Sequence, residues 1–142
     1  MNQARPVIRG LRHLALKVTD ITRSRAFYEQ LFGFRVVWEP DPGSVYLSSG
    51  SDNLALHQIP GHELHDYAKP GPQFLDHCGL IVDSPTAVDR LFSVVEPQLS
   101  RFGARIVKRP KQHRDGSVSF YLTDPDGNVI QILYEPNISS KM

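Results

Sequence analysis

The chain has 142 residues, with 16 Lys and Arg against 15 Asp and Glu and a formal net charge of +1 at pH 7. That length suits one domain able to bury a core without staples, and the near-neutral balance with no basic run excludes nucleic acid as the main partner, because phosphate binding needs clustered Lys and Arg. No apolar run approaches the roughly 20 residues of a membrane-spanning helix, the N-terminus lacks the apolar centre of a secretory signal, and the one cysteine, Cys78, has no internal disulfide partner; a cytoplasmic protein without a membrane partner is expected.

After a short polar arm the stretch from Gly10 to Thr19 alternates, with Leu14, Leu16 and Val18 on one side of a two-residue period and His13 and Ala15 on the other. This is the pattern of a strand with one face on a core. From Asp20 to Gly33 the spacing predicts a helix of about three turns, capped by Asp20 or Thr22, with Phe27 and Leu31 one turn apart and Gly33 as a left-handed stop. Three strands follow, Phe34 to Glu39, Ser44 to Ser48 and Leu54 to Ile59, separated by Pro40-Asp41-Pro42-Gly43 and Gly50-Ser51-Asp52-Asn53. The first half therefore reads βαβββ.

Residues 60–73, rich in Pro and Gly and without apolar period, form the expected connecting loop, and His62 and His65 within it are expected to be exposed. The chain then repeats itself. Advancing 64 residues aligns His13 with His77, Leu16 with Leu80 and Val18 with Val82, with Gly79 two residues after His77 as Ala15 is after His13. The two histidines read as matching points on the concave side of a sheet. Cys78 falls on the core face, as an inert small hydrophobe.

Ser84-Pro85 opens a second helix whose apolar stripe runs through Val88, Phe92, Val95 and Leu99 to Phe102, with Pro97 expected to kink or split it. Phe102-Gly103-Ala104-Arg105-Ile106-Val107 repeats Phe32-Gly33-Phe34-Arg35-Val36-Val37 at an offset of 70. The densest positive stretch, Arg105 to Arg114, reads as a strand end and loop. Two last strands, Ser117 to Thr123 and Asn128 to Tyr134, flank a tight turn at Asp124-Pro125-Asp126-Gly127-Asn128 with Gly127 at positive φ. The expected fold is α+β, a single domain over residues 1–142 made of two βαβββ modules at about 7–59 and 74–135. Trp38, Tyr46 and Tyr121 are expected in its core or cleft wall.

Two strands led by His, the Phe27-Tyr28-Glu29-Gln30-Leu31-Phe32-Gly33-Phe34 helix end and Asp124-Pro125-Asp126-Gly127-Asn128-Val129-Ile130 occur in this order. Together they resemble the vicinal oxygen chelate superfamily, which includes glyoxalase I, fosfomycin-resistance thiol transferases, extradiol dioxygenases and bleomycin-resistance proteins. The resemblance covers nearly the whole chain. It implies that the modules curl into an open mixed-sheet barrel holding a divalent metal against two oxygens of a small-molecule substrate, usually in a homodimer.

By the same resemblance the metal ligands map onto His13, His77 and His57, and the last one, normally a glutamate, onto Gln131. Glu135 shares the parity of Gln131 but stands four residues on, roughly 13 Å along a strand, too far to replace it. Three imidazoles and an amide oxygen suit a divalent transition metal such as zinc, nickel, manganese or iron, not magnesium or calcium. Tyr121, on the strand paired with that of Gln131, is the expected substrate contact. Two functions stay open: a metal-dependent lyase, transferase or dioxygenase, favoured by the histidines, and a metal-free antibiotic-binding protein of the bleomycin-resistance type, favoured by the missing glutamate.

Overall fold

A computed structural model describes residues 4–67 and 71–139; residues 68–70 of the expected connection, and the chain ends, lie outside them. The first half runs β1 (His13–Val18), α1 (Ile21–Phe32), β2 (Arg35–Asp41), β3 (Ser44–Ser48) and β4 (Asn53–Gln58). The second runs β5 (Cys78–Ile81), α2 (Pro85–Val95), β6 (Ile106–Gln112), β7 (Val118–Thr123) and β8 (Val129–Tyr134), closed by a short α3 (Pro136–Ser139). Each half makes its own four-stranded mixed sheet, in the orders β1-β4-β3-β2 and β5-β8-β7-β6. The two sheets do not join into a closed barrel within the described residues, and β1 and β5 each stand at a sheet edge.

Local chemistry explains the elements. Asp20 accepts a hydrogen bond from the Arg23 amide at 3.1 Å and Ser84 accepts one from the Ala87 amide at 3.2 Å, so both long helices start on a side-chain cap. Gly33 and Gly103 both lie at φ 70°, where a side chain would be strained, and each returns its amide to the helix end before it. The proline-split second helix is borne out. After Val95 the chain tightens into a 3-10 helix over Glu96–Phe102 that begins at Pro97's turn.

Most strand ends lie within a residue of expectation, and three differences have a local cause or consequence. Strand β2 continues through Pro40 to Asp41, leaving only Pro42-Gly43 as the turn. Proline is tolerated there because β2 is an edge strand and bulged, so no ladder bond is lost. The strand after His77 starts one residue later, at Cys78. The connecting loop contains a 3-10 helix over Gly61–Asp66, on which His62 and His65 are exposed as expected.

One continuous core joins the halves. Leu16, Val18, Phe27, Leu47 and Leu56 pack from the first, and Val88, Leu99, Phe120, Leu122 and Ile132 from the second. Phe27 meets Phe102 edge-on with ring centres 5.6 Å apart. Polar ties from the β7–β8 turn cross the same seam. The fully buried Asp124 carboxylate accepts from the Tyr28 hydroxyl at 2.9 Å, and Asp126 accepts from the Thr19 amide at 3.1 Å and from its hydroxyl.

Candidate functional site

Residues opposed across a ladder share a face of the sheet. In the first sheet the parallel register sets His13 opposite Asn53, Ala15 opposite Ala55 and Lys17 opposite His57. Strand β3 adds Tyr46 opposite Ala55 and Ser44 opposite His57, and β2 adds Trp38 opposite Tyr46. This is the face turned away from Leu16, Val18 and Leu56. In the second sheet Gln131 stands between Gly79 and Tyr121, and Lys108 lies opposite Tyr121. His77, two residues before Gly79, has the same parity.

His13 and His77 line one crevice of about 320 Å³, with largely apolar walls that include Leu14, Leu54, Leu80 and Ile130. Each is oriented by an oxygen that can only accept. His13 Nδ1 meets Asn53 Oδ1 at 2.7 Å, and His77 Nδ1 meets Asp76 Oδ1 at 2.5 Å. The Nδ1 proton is therefore engaged in both rings, and a neutral imidazole keeps its lone pair on Nε2. Such a partner on the far nitrogen is the usual support of a metal-binding histidine.

Gln131 is nearly buried, at 9% exposure, and its side-chain amide makes no hydrogen bond among the described residues. An amide so placed, on the face of His77, has its donors and acceptor unspent. Tyr121 meets His77 edge-on at 5.2 Å between ring centres, and Lys108 Nζ lies 5.2 Å from the centre of the Tyr121 ring. The expected substrate contact thus stands beside the expected ligand, with a cation behind it.

His57 is placed differently. The register puts it level with Lys17, four residues from the His13–Asn53 pair, which is about 13 Å along the strand. It bonds Ser44 Oγ through Nδ1 at 3.1 Å and abuts Tyr46. The chain by itself does not gather His13, His57 and His77: among the described residues no three His, Cys, Asp or Glu side chains lie close enough to hold a metal. Glu135 lies just past β8, where its carboxylate accepts from Asn137 at 3.1 Å.

Asn53, Asp76 and Lys108 are the parts of this site that the residue pattern did not single out. For Asn53 and Asp76 the signal was proximity to a strand start, one step from an expected histidine ladder. Cys78 lines the crevice, but burial, and secondarily the Asp124 charge, push its thiol pKa up, which disfavours the nucleophilic thiolate.

Two βαβββ modules, with an imidazole on the first strand of one and just before the first strand of the other, make a fold of the glyoxalase type. The family model described as Glyoxalase/Bleomycin resistance protein/Dioxygenase superfamily matches residues 10–132, and the chain belongs to that superfamily. It is 30% identical over 129 residues to the "Virulence protein STM3117" of Salmonella typhimurium, covering 89% of this chain and 84% of that protein. To "Glutathione transferase FosA" of Serratia marcescens it is 26% identical over 126 residues, covering 89% and 81%. Among solved structures, a glyoxalase/bleomycin resistance protein/dioxygenase family enzyme from Burkholderia phytofirmans superposes with a TM-score of 0.69 at 26% identity, over 86% of this chain and 95% of that one.

Proposed function

We propose that the protein is a divalent-metal-dependent enzyme that chelates a small oxygenated substrate, with His13, His77 and Gln131 as its metal ligands and a second copy of the chain completing the site. The observation that carries this reading is the pair of pre-oriented imidazoles, each with Nδ1 engaged and Nε2 unspent, on one crevice. The donor chemistry fits a borderline ion such as zinc, nickel, manganese or iron, since two neutral imidazoles and an amide oxygen suit such ions. When bound, the ion would supply Lewis-acid polarisation of the substrate oxygens.

The protein's own residues do the rest. Asp76 and Asn53 hold the rings in their tautomers, and Tyr121 and Lys108, on the sheet face of Gln131 and outside the crevice lining, offer a hydroxyl and a cation to the substrate. His57, distant along β4, is assigned to the wall of the first sheet and not to the ligand set. The case for a homodimer rests on what surrounds the two histidines. Val7, Ile8 and Leu11 precede β1, Phe74 and Leu75 precede β5, and all five are exposed beside an edge strand. Uncovered strand edges flanked by apolar side chains are a liability that a second copy removes.

The second reading is a metal-free protein that sequesters a small apolar molecule. Gln131 favours it, because no anionic ligand remains. Calorimetric titration of untagged protein with zinc, nickel and manganese, with light scattering in parallel, separates the two. The enzyme reading requires saturable binding that His77→Ala abolishes, and a mass of twice 16.0 kDa. Absence of binding by both wild type and Gln131→Glu, while an apolar probe still enters the crevice, assigns the metal-free function.

A further inference from the structure

A second cavity, of about 440 Å³, lies at the opposite end of β1 from His13. It takes Lys17, Thr19 and Arg23 from the first half, Tyr67 and Gln73 from the connection, and Asp126 and Asn128 from the β7–β8 turn. We infer that this crevice is a binding site for a small oxyanion, a carboxylate or phosphate group, held by Arg23 and Lys17. The site is separate from the proposed metal ligands and does not rest on them.

The Arg23 guanidinium is incompletely satisfied. Arg23 donates from Nη2 to the neutral Thr19 hydroxyl at 3.3 Å, and its one carboxylate neighbour, Asp126, is 3.9 Å away, outside hydrogen-bond range. Its Nε is buried without a partner, and Nη1, which makes no hydrogen bond among the described residues, lies against the Gly103 wall of the crevice. Asp126 remains an ion-pair partner at 3.9 Å, but its oxygens accept from the Thr19 amide and hydroxyl, so it takes no hydrogen bond from the guanidinium and leaves those donors unspent. A planar, permanently charged fork with unspent donors at a crevice matches the two oxygens of a carboxylate or phosphate.

Lys17 supplies the second charge. Its Nζ donates to the Tyr67 hydroxyl at 3.1 Å and lies 5.6 Å from the centre of that ring, so the ammonium is aimed by a neutral group and has donors left. Among the described residues, Lys17, Arg23 and Asp126 are the charged residues lining the cavity, two cations against one anion. The volume falls within the range of small-ligand sites and exceeds that of a bare ion. The ligand is therefore a small molecule carrying the anionic group, with Gln73 and Asn128 available to its neutral part.

Inorganic phosphate and malonate, titrated separately at fixed ionic strength and followed by amide chemical shifts, test this. Saturable shifts at Thr19, Arg23 and Gly103 are expected with at least one probe, and which one responds distinguishes a phosphate ester from a carboxylate as the class of ligand. Lys17→Gln, which leaves the core untouched, should weaken binding about tenfold, and Arg23→Gln more. His77→Ala should leave it unchanged, so failure here is separable from failure of the metal reading. Lack of saturation with both probes, or affinity indifferent to Lys17→Gln and Arg23→Gln, overturns the site.

Discussion

The two halves of the molecule share a frame and differ in what they mount on it. Both interrupt their edge strands at matching places: Val36 and Trp38 flank an extra residue in β2 as Ile106 and Lys108 do in β6, and a second irregularity follows before Asp41 and Lys111. These are the same positions 70 residues apart, and a proline, Pro40 or Pro110, sits inside each second irregularity. The side chains on the frame have diverged. Aligning Leu14–Leu54 with Cys78–Ile130 makes Ala55 the counterpart of Gln131, His57 that of Leu133, and Trp38 that of Lys108. Bulges and cap glycines are thus repeated where backbone must bend, while chemistry is divided: imidazoles and Lys17 around a small, aromatic-rimmed centre in the first half, an amide, a phenol and Lys108 in the second.

The hairpin turns differ in how deeply their hydrogen bonds are buried. The β3–β4 turn is held by a part-buried bond from Ser48 and exposed bonds from Ser49 to Asp52. Its counterpart is held by buried Asp124, which accepts from the Asp126 and Asn128 amides, the Asn128 side chain and Tyr28 of the other half. Asp124→Ala strands several buried donors and should cost about 3 kcal/mol in urea unfolding, whereas Asp52→Ala, at the surface, should cost less than about 1 kcal/mol. Equal losses would show that the turns are equivalent after all.

Tyr28→Phe isolates the part of that bond network that crosses between halves. Removing a hydroxyl that donates to a buried carboxylate at 2.9 Å should cost about 1.5 to 2 kcal/mol. Double-mutant coupling with Asp124→Ala should recover most of that amount. Additive losses would mean that this bond does nothing to join the halves.

Gln131→Glu tests whether the second half carries the metal end of the face. It restores a negative ligand, so affinity for zinc, nickel or manganese should rise at least about tenfold, roughly 1.4 kcal/mol. An unchanged affinity in the glutamate form would remove Gln131 from the ligand set.

The frame was legible because repeats, caps and period-2 patterns are local: the matches at His13/His77 and Gly33/Gly103 survive in the residue string. The level of His57 was not. Parity correctly assigns it to the same face as His13, but the offset between two parallel strands is set by the crossover that joins them, and here it places Asn53 level with His13. The Tyr28–Asp124 bond and the Lys17–Arg23 crevice were also hidden, since each depends on how the halves pack. Asp124-Pro125-Asp126-Gly127-Asn128 announced a turn, and nothing in its own residues announced the partner across the seam.

The smallest effect concerns the sign of a proton. Burial pushes the Asp124 carboxyl pKa above its ordinary 3.8, and the bonds from Asn128, Tyr28 and Asp126 pull against that without overcoming it. The folded state therefore holds this proton more tightly than the unfolded chain does, which is opposite to a carboxylate stabilised in its charged form. Between pH 3.8 and the raised folded value the native protein binds more protons, so this group's contribution to stability must fall as pH rises and then level off. Asp115, whose carboxyl is held below the ordinary range chiefly by the Ser117 hydroxyl, contributes with the reverse sign, favouring the folded state as pH rises. Comparing wild type with Asp124→Asn in urea at steps from pH 3.5 to 6 cancels Asp115 and the other shared groups. The stability difference, wild type minus variant, should decrease across the window, by about 1.36 kcal/mol for each full unit by which the folded value is raised. A difference that increases with pH would mean that the hydrogen bonds outweigh burial, making the turn beneath Tyr28 an anion site and not a desolvated acid.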